Sequence, residues 1–150
     1  MTDVLRTIGD ISRALDAISN VEFKSAGLTK GQYVYLARIV EHPGIIQSRL
    51  AEMIRVDRTT VAHAVKKLEQ DGLIVRRTDE ANKKNKTLYP TDVGRAAYPR
   101  ISAENQYSEA MALATLDATQ QQTLQTLLDQ VRTNVTKDWQ HVMSGHPRQY

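Results

Sequence analysis

IQSRLAEMIRVDRTTVAHAVKKLEQDGL, residues 46–73, is the stretch whose reading decides the fold. Leu50, Ala51 and Ile54 fall on one face of a first helix, and Val61, Val65 and Leu68 recur at three- and four-residue spacing on a second. Each helix therefore has one side to bury. Arg55, Val56 and Asp57 leave room between them for a short turn only. The Asp57 carboxylate is suited to accept from the free amides of the next helix, which starts the second helix at about Arg58. Its outward positions are then Arg58, Thr59, Thr60, His63, Lys66 and Lys67, hydroxyls and cations with no acid before Glu69. Such a face suits base edges and phosphates.

Gly72 follows as a left-handed helix terminator, and residues 73–77 and 86–90 read as the two arms of a hairpin with apolar Leu73, Ile74, Val75 and Leu88. Its tip is TDEANKKN, residues 78–85, so Lys83, Lys84 and Lys86 stand beside an exposed helix, within reach of phosphates or a minor groove. The predicted DNA face comprises Gln47, Ser48, Arg58, Thr59, Thr60, His63, Lys67, Asn82, Lys83, Lys84 and Lys86. Three lysines alone describe an ordinary solvated loop equally well; it is their position directly after the two-helix unit that favours DNA contact.

Several motifs in order carry a family resemblance. LTKGQY at 28–33, the two-helix unit, LEQDGLI at 68–74, Arg76-Arg77 and TDVG at 91–94 together resemble the landmarks of the multiple-antibiotic-resistance regulator (MarR) family. The resemblance spans about 28 to 94, with helical flanks of fitting length. It implies a mainly α fold with a small β-hairpin wing: a winged helix-turn-helix lobe at 29–90, with helical dimerisation segments at 1–27 and 91–143 in a single domain. It also implies a homodimeric transcription factor, usually a repressor, that binds a pseudo-palindromic double-stranded operator and is released by a small effector. Two departures matter. The family's wing commonly pairs an aspartate with an arginine two residues on, where this chain has Asn82 and Lys84. Lysine is a point charge without arginine's planar fork, so wing contact is expected with weaker sequence selectivity. His63 stands where relatives often carry arginine, making that contact neutral and pH-sensitive, unless it is simply solvent-facing.

Composition agrees. The 150 residues suit one domain, and 41% hydrophobic content is sufficient for a core. The net charge is only +3, but positions 47–90 hold ten Lys/Arg against six Asp/Glu, while the remainder holds ten against eleven. The basic excess thus sits on the proposed reading head. With no cysteine, a disulfide framework, a thiolate metal site and a thiol-based sensor are all excluded. No segment approaches the length of a membrane span, and a cytoplasmic protein is expected. The glycines stand alone rather than forming a phosphate loop, and no Ser/His/acid constellation has meaningful spacing, so no enzyme and no cofactor are expected.

Outside the head, Val4, Leu5, Ile8, Ile11, Leu15, Ile18 and Val21 form an apolar stripe on a helix ending near Gly27. Thr29 with Gln32 reads as a capping box for the next helix, which runs to His42-Pro43-Gly44. Thr91 caps a helix through Ala96, Ala97 and Ile101. Asp117 with Gln120 opens a last one bearing Leu124, Leu127, Leu128, Val131, Val135, Trp139 and Val142. The first and last stripes exceed what a small head can cover, which points to a second protomer. By the family resemblance, a small amphipathic or phenolic effector would have Arg13, Phe23, Tyr33 and Arg38 among its candidate contacts, though each reads equally as a core or surface residue. Two other readings stay open. One is a zinc-responsive regulator using His42, His63, His141 and His146; only the last two are near in sequence, and their five-residue spacing keeps them off one helical face, so no metal site is assigned. The other is a winged helix used only for protein contacts, which would need no basic wing.

Overall fold

The structure, a computed structural model, describes residues 2–150. Among them are six α-helices and three short strands: α1 (Val4–Glu22), α2 (Gln32–Glu41), β1 (Ile45–Ile46), α3 (Gln47–Ile54), α4 (Arg58–Gln70), β2 (Ile74–Thr78), β3 (Lys86–Pro90), α5 (Asp92–Ala112) and α6 (Ala118–Met143). A 3-10 turn at Lys24–Ala26 follows α1. The chain divides into two compact units, Met1–Ser108 and Glu109–Tyr150.

One apolar core organises the first unit. Leu50 and Ala51 of α3 and Val61, Ala64, Val65 and Leu68 of α4 are buried together with Leu36 and Ile39 of α2, Ile74 of β2, Leu88 of β3 and Ile101 of α5. The predicted inward faces are therefore the buried ones, and the outward face of α4 is exposed throughout. β3 is the central strand of an antiparallel sheet ordered β1-β3-β2, with Ile45 opposite Leu88 and Val75 opposite Tyr89. The hairpin matches the expected one, its first arm displaced by one residue. β1 is new, because two residues are too few to display an alternating pattern and it is defined only by its pairing with β3.

Two expectations at the start of the chain are corrected. α1 ends at Glu22, and the 3-10 turn, closed by Gly27 in the left-handed conformation, covers the residues up to the expected end. Thr29 and Gln32 form no capping box. Lys30 and Gly31 both take positive φ, so Gly31 occupies the cap position with no side-chain cap bond, and Thr29 contributes only its carbonyl, which accepts from the Gln32 amide. Asn20 of α1 instead braces this turn by accepting from the Gly31 amide at 3.3 Å.

TDVG at 91–94 joins the wing to α5, and each residue type has a local reason. The Thr91 hydroxyl donates to the Gly72 carbonyl at 2.7 Å and accepts from the Gly94 amide at 3.1 Å, while the Thr91 amide donates to the Leu73 carbonyl at 3.0 Å. Gly94 then passes so close to Leu73 that a Cβ there would lie 2.1 Å from its carbonyl oxygen. Arg100 fastens α5 to the end of α1, donating to the Glu22 carbonyl at 2.7 Å and the Ser25 hydroxyl at 3.2 Å.

α1 buries only Ser19 and leaves Val4, Leu5, Ile11, Ile18 and Val21 exposed. In the second unit α6 opens with the expected capping box, Asp117 accepting from the Gln120 amide and Gln120 from the Asp117 amide. None of its residues is fully buried, and Leu124, Leu127, Leu128, Val135 and Met143 are exposed. No helix of the described residues is long and apolar enough to cross a membrane.

Candidate nucleic-acid interface

The turn between α3 and α4 is built from the residues that the pattern singles out. Arg55 takes the left-handed conformation at the end of α3, and Asp57 caps α4. The Thr60 amide donates to Asp57 Oδ1 at 2.8 Å and the Thr60 hydroxyl to Oδ2 at 2.7 Å, and these bonds hold the Asp57 carboxyl below the usual carboxylate range. Thr60 is thus engaged in fixing the first turn of α4, and its hydroxyl hydrogen is already committed before any base is met.

Arg58, the first residue of α4, meets Lys84 and Lys86 of the wing across an open crevice of about 250 Å³, which Ile46, Gln47, Ser48 and Asn85 also line. Five of the eleven expected DNA-face residues come together here: Gln47, Ser48, Arg58, Lys84 and Lys86. Thr59 and His63 are exposed on α4, while Asn82 and Lys83 are exposed on the wing turn outside the crevice. Asn82 shapes that turn: its side-chain oxygen accepts from the Lys84 amide at 3.2 Å and its carbonyl from the Asn85 amide at 2.9 Å. It organises the backbone beneath Lys84 rather than bracing a wing cation. Lys86 Nζ donates to the Thr78 hydroxyl at 2.9 Å, tying the two arms together.

Several cations of the head are occupied within the chain. Lys67 pairs with Asp71 at 2.9 Å and Arg49 with Glu52 at 3.2 Å. Arg76 forms a two-pronged bond to Glu69 at 2.8 and 2.9 Å, and Arg77 lies 4.5 Å above the Tyr89 ring. The Arg76 hydrogen bonds hold the Glu69 carboxyl below its usual range and raise the guanidinium in turn. A lowered folded-state carboxyl contributes stability above the ordinary carboxylate range and loses it as pH falls through the lowered value. Glu69→Gln is therefore expected to reduce stability at neutral pH by at most about 1 kcal/mol, since both side chains are more than a third exposed. The gap from wild type should close on acidification in urea melts at stepped pH; a gap independent of pH would contradict the assignment.

The candidate effector residues separate into two kinds. Phe23 is fully buried and its ring lies 5.0 Å from that of Tyr33, which is 6% exposed. The Tyr33 hydroxyl donates to Asp16 at 3.2 Å; burial, with Asp16 and Glu104 nearby, raises its pKa. Arg38 pairs with Glu41 at 2.8 Å, and Arg13 pairs with Asp10 on the exposed side of α1. The structure brings the two aromatics together and gives each arginine a carboxylate from its own helix.

His141 and His146 share no helical face, since α6 ends at Met143, yet their rings stack at 4.6 Å because the chain turns at Ser144 and Gly145, the latter with φ +96°, and brings His146 back. Among the described residues no three His, Cys, Asp or Glu side chains gather as metal ligands.

A three-strand sheet on a helical core, with an exposed helix and a basic hairpin turn side by side, defines a winged helix-turn-helix protein. The chain belongs to the MarR family, whose family model matches residues 28–86. It is 52% identical over 150 residues, the whole of both chains, to the HTH-type transcriptional regulator YybA of Bacillus subtilis. Among solved structures, a SlyA-like transcription regulator of Listeria monocytogenes is 47% identical over the full length of both chains with a TM-score of 0.98. A MarR-family transcriptional regulator of Listeria monocytogenes, solved in complex with 26mer DNA, is also 47% identical over both full chains, with a TM-score of 0.96.

Proposed function

We propose that this chain is a homodimeric transcriptional regulator that binds double-stranded DNA sequence-specifically, with α4 in the major groove and the β2–β3 turn against the neighbouring backbone and minor groove. The observation that carries this reading is the meeting of the start of α4 with the wing lysines in one carboxylate-free crevice, on a chain similar over its full length to a regulator solved with DNA. Cations from two elements, set beside a helix of exposed hydroxyl, imidazole and ammonium groups, suit a phosphate strand running next to readable base edges.

The uncovered apolar side chains of α1, and separately those of α6, support the dimer, since surface of this kind is normally buried against a partner. A two-fold axis would set two reading helices on pseudo-palindromic half-sites about 34 Å apart. Occupancy of such a site is the simplest means of repression. Relief by a small amphipathic or phenolic effector needs a ligand that prefers a conformation with mis-spaced reading helices. Arg13, Phe23, Tyr33 and Arg38 are its proposed neighbourhood. The carboxylates near the Tyr33 hydroxyl disfavour an anion at that point, so the ligand's apolar or neutral part belongs there.

Selection of duplexes from a random pool by the full-length protein tests the reading. A two-fold symmetric consensus is expected, and a ligand panel on that duplex then tests for release. A pool that remains random after repeated rounds would contradict it.

A further inference from the structure

We propose that the crevice between α3, α4 and the wing is a clamp for a single DNA phosphate, shared by Arg58, Lys84 and Lys86, and that Arg58 therefore holds the backbone rather than reading a base. This rests on the DNA-binding reading above. Three cations from two separate elements line one open space of about 250 Å³, and no carboxylate lines it. Among the described residues no ion pair engages any of the three, whereas Arg49, Lys67 and Arg76 of the same head each have an acidic partner. Cations brought together without a counter-charge repel one another, and an anion seated among them removes that repulsion.

The two helix starts at the crevice differ in a way that indicates where the anion sits. α4 carries its own carboxylate, Asp57, on its first-turn amides. α3 has Ile46 at its cap position and no side-chain cap bond, so the amides at its start remain available, and Gln47 and Ser48 line the crevice. An uncapped helix start favours negative charge. The clamp thus combines three ammonium or guanidinium groups with the start of α3. The tetrahedral, singly charged phosphodiester of duplex DNA is a ligand of that chemistry. Because one phosphate engages both helix and wing, the two dock as a unit.

Affinity measured by anisotropy across a salt series, on the selected operator and on a scrambled duplex, distinguishes a shared phosphate from separate contacts. Neutralising one phosphate contact should lower the slope of log affinity against log salt by about 0.9. Arg58→Ala, Lys84→Ala and the double variant are all expected to fall within that single decrement, with operator and scrambled duplex affected alike. Arg58→Lys should restore near-wild-type binding, since a phosphate accepts a point charge where a bidentate base contact would not. Placing a neutral methylphosphonate at each position in turn should reveal one phosphate at which wild type and double variant become equal. The clamp is overturned by a double-variant decrement of about 1.8, by an Arg58→Lys defect confined to the operator, or by variant deficits that persist at every methylphosphonate position. If the wild-type protein shows no salt-dependent duplex binding, it is the function reading that fails.

Discussion

Gly94→Ala is expected to destabilise the first unit by about 3 kcal/mol, the upper end of what overpacking costs, even though alanine is the better helix former. Two effects compete. Gly94 lies inside the first turns of α5, where a Gly→Ala change would ordinarily gain up to about 1 kcal/mol. The added Cβ, however, would lie 2.1 Å from the Leu73 carbonyl oxygen and 3.1 Å from its carbon, with the Leu36 side chain at 3.4 Å behind. That oxygen accepts from the Thr91 amide, so it has no freedom to retreat without loosening the join between wing and α5. A flexible side chain would yield; backbone does not, so the clash prevails over propensity. Urea denaturation of Gly94→Ala beside Gly27→Ala separates the effects, because a Cβ at Gly27 meets nothing within 4 Å and only its positive φ is penalised. Equal or greater stability for Gly94→Ala would show that the close approach does not constrain the fold.

Phe23→Ala is expected to cost about 3–5 kcal/mol, a large part of the stability of a domain this size. Phe23 is fully buried, its ring lies against Tyr33, and its carbonyl accepts from the amides of Ala26 and Leu28 as the chain leaves α1. Truncation would remove the largest fully buried side chain of the core at the point where the chain leaves α1. Phe23→Leu, which keeps most of the volume, should lose less than about 1.5 kcal/mol. A Phe23→Ala protein of unchanged stability and altered effector response would instead make this residue a ligand contact.

How far the fold was legible follows from how local each signal is. The helix-turn-helix could be read because a 3.6-residue period and the Asp57 cap are contained within 46–73, and the same holds for the Asp117/Gln120 box at the start of α6. Thr29 and Gln32 have the spacing of a box and form none, since two positive-φ residues intervene and spacing alone does not report φ. TDVG could be noticed as a landmark, but the reason for its glycine is a carbonyl twenty-one positions earlier. The candidate site divides in the same way. The exposed face of α4 follows from periodicity. That Lys67 is neutralised by Asp71 could have been found, because the two are one helical turn apart. The pairing of Arg76 with Glu69 and the meeting of Arg58 with Lys84 and Lys86 depend on how the hairpin folds beside α4, and no local pattern encodes that.

In the proposed function the basic face formed by α4 and the wing binds duplex DNA through its phosphates and recognises a specific sequence. Its most direct test is the affinity of the full-length protein for the selected duplex and for a scrambled one, measured from about 50 to 200 mM salt. A linear fall of log affinity with log salt is expected for both, with tighter binding to the selected duplex throughout. Affinity indifferent to salt, or equal for the two duplexes, would contradict it.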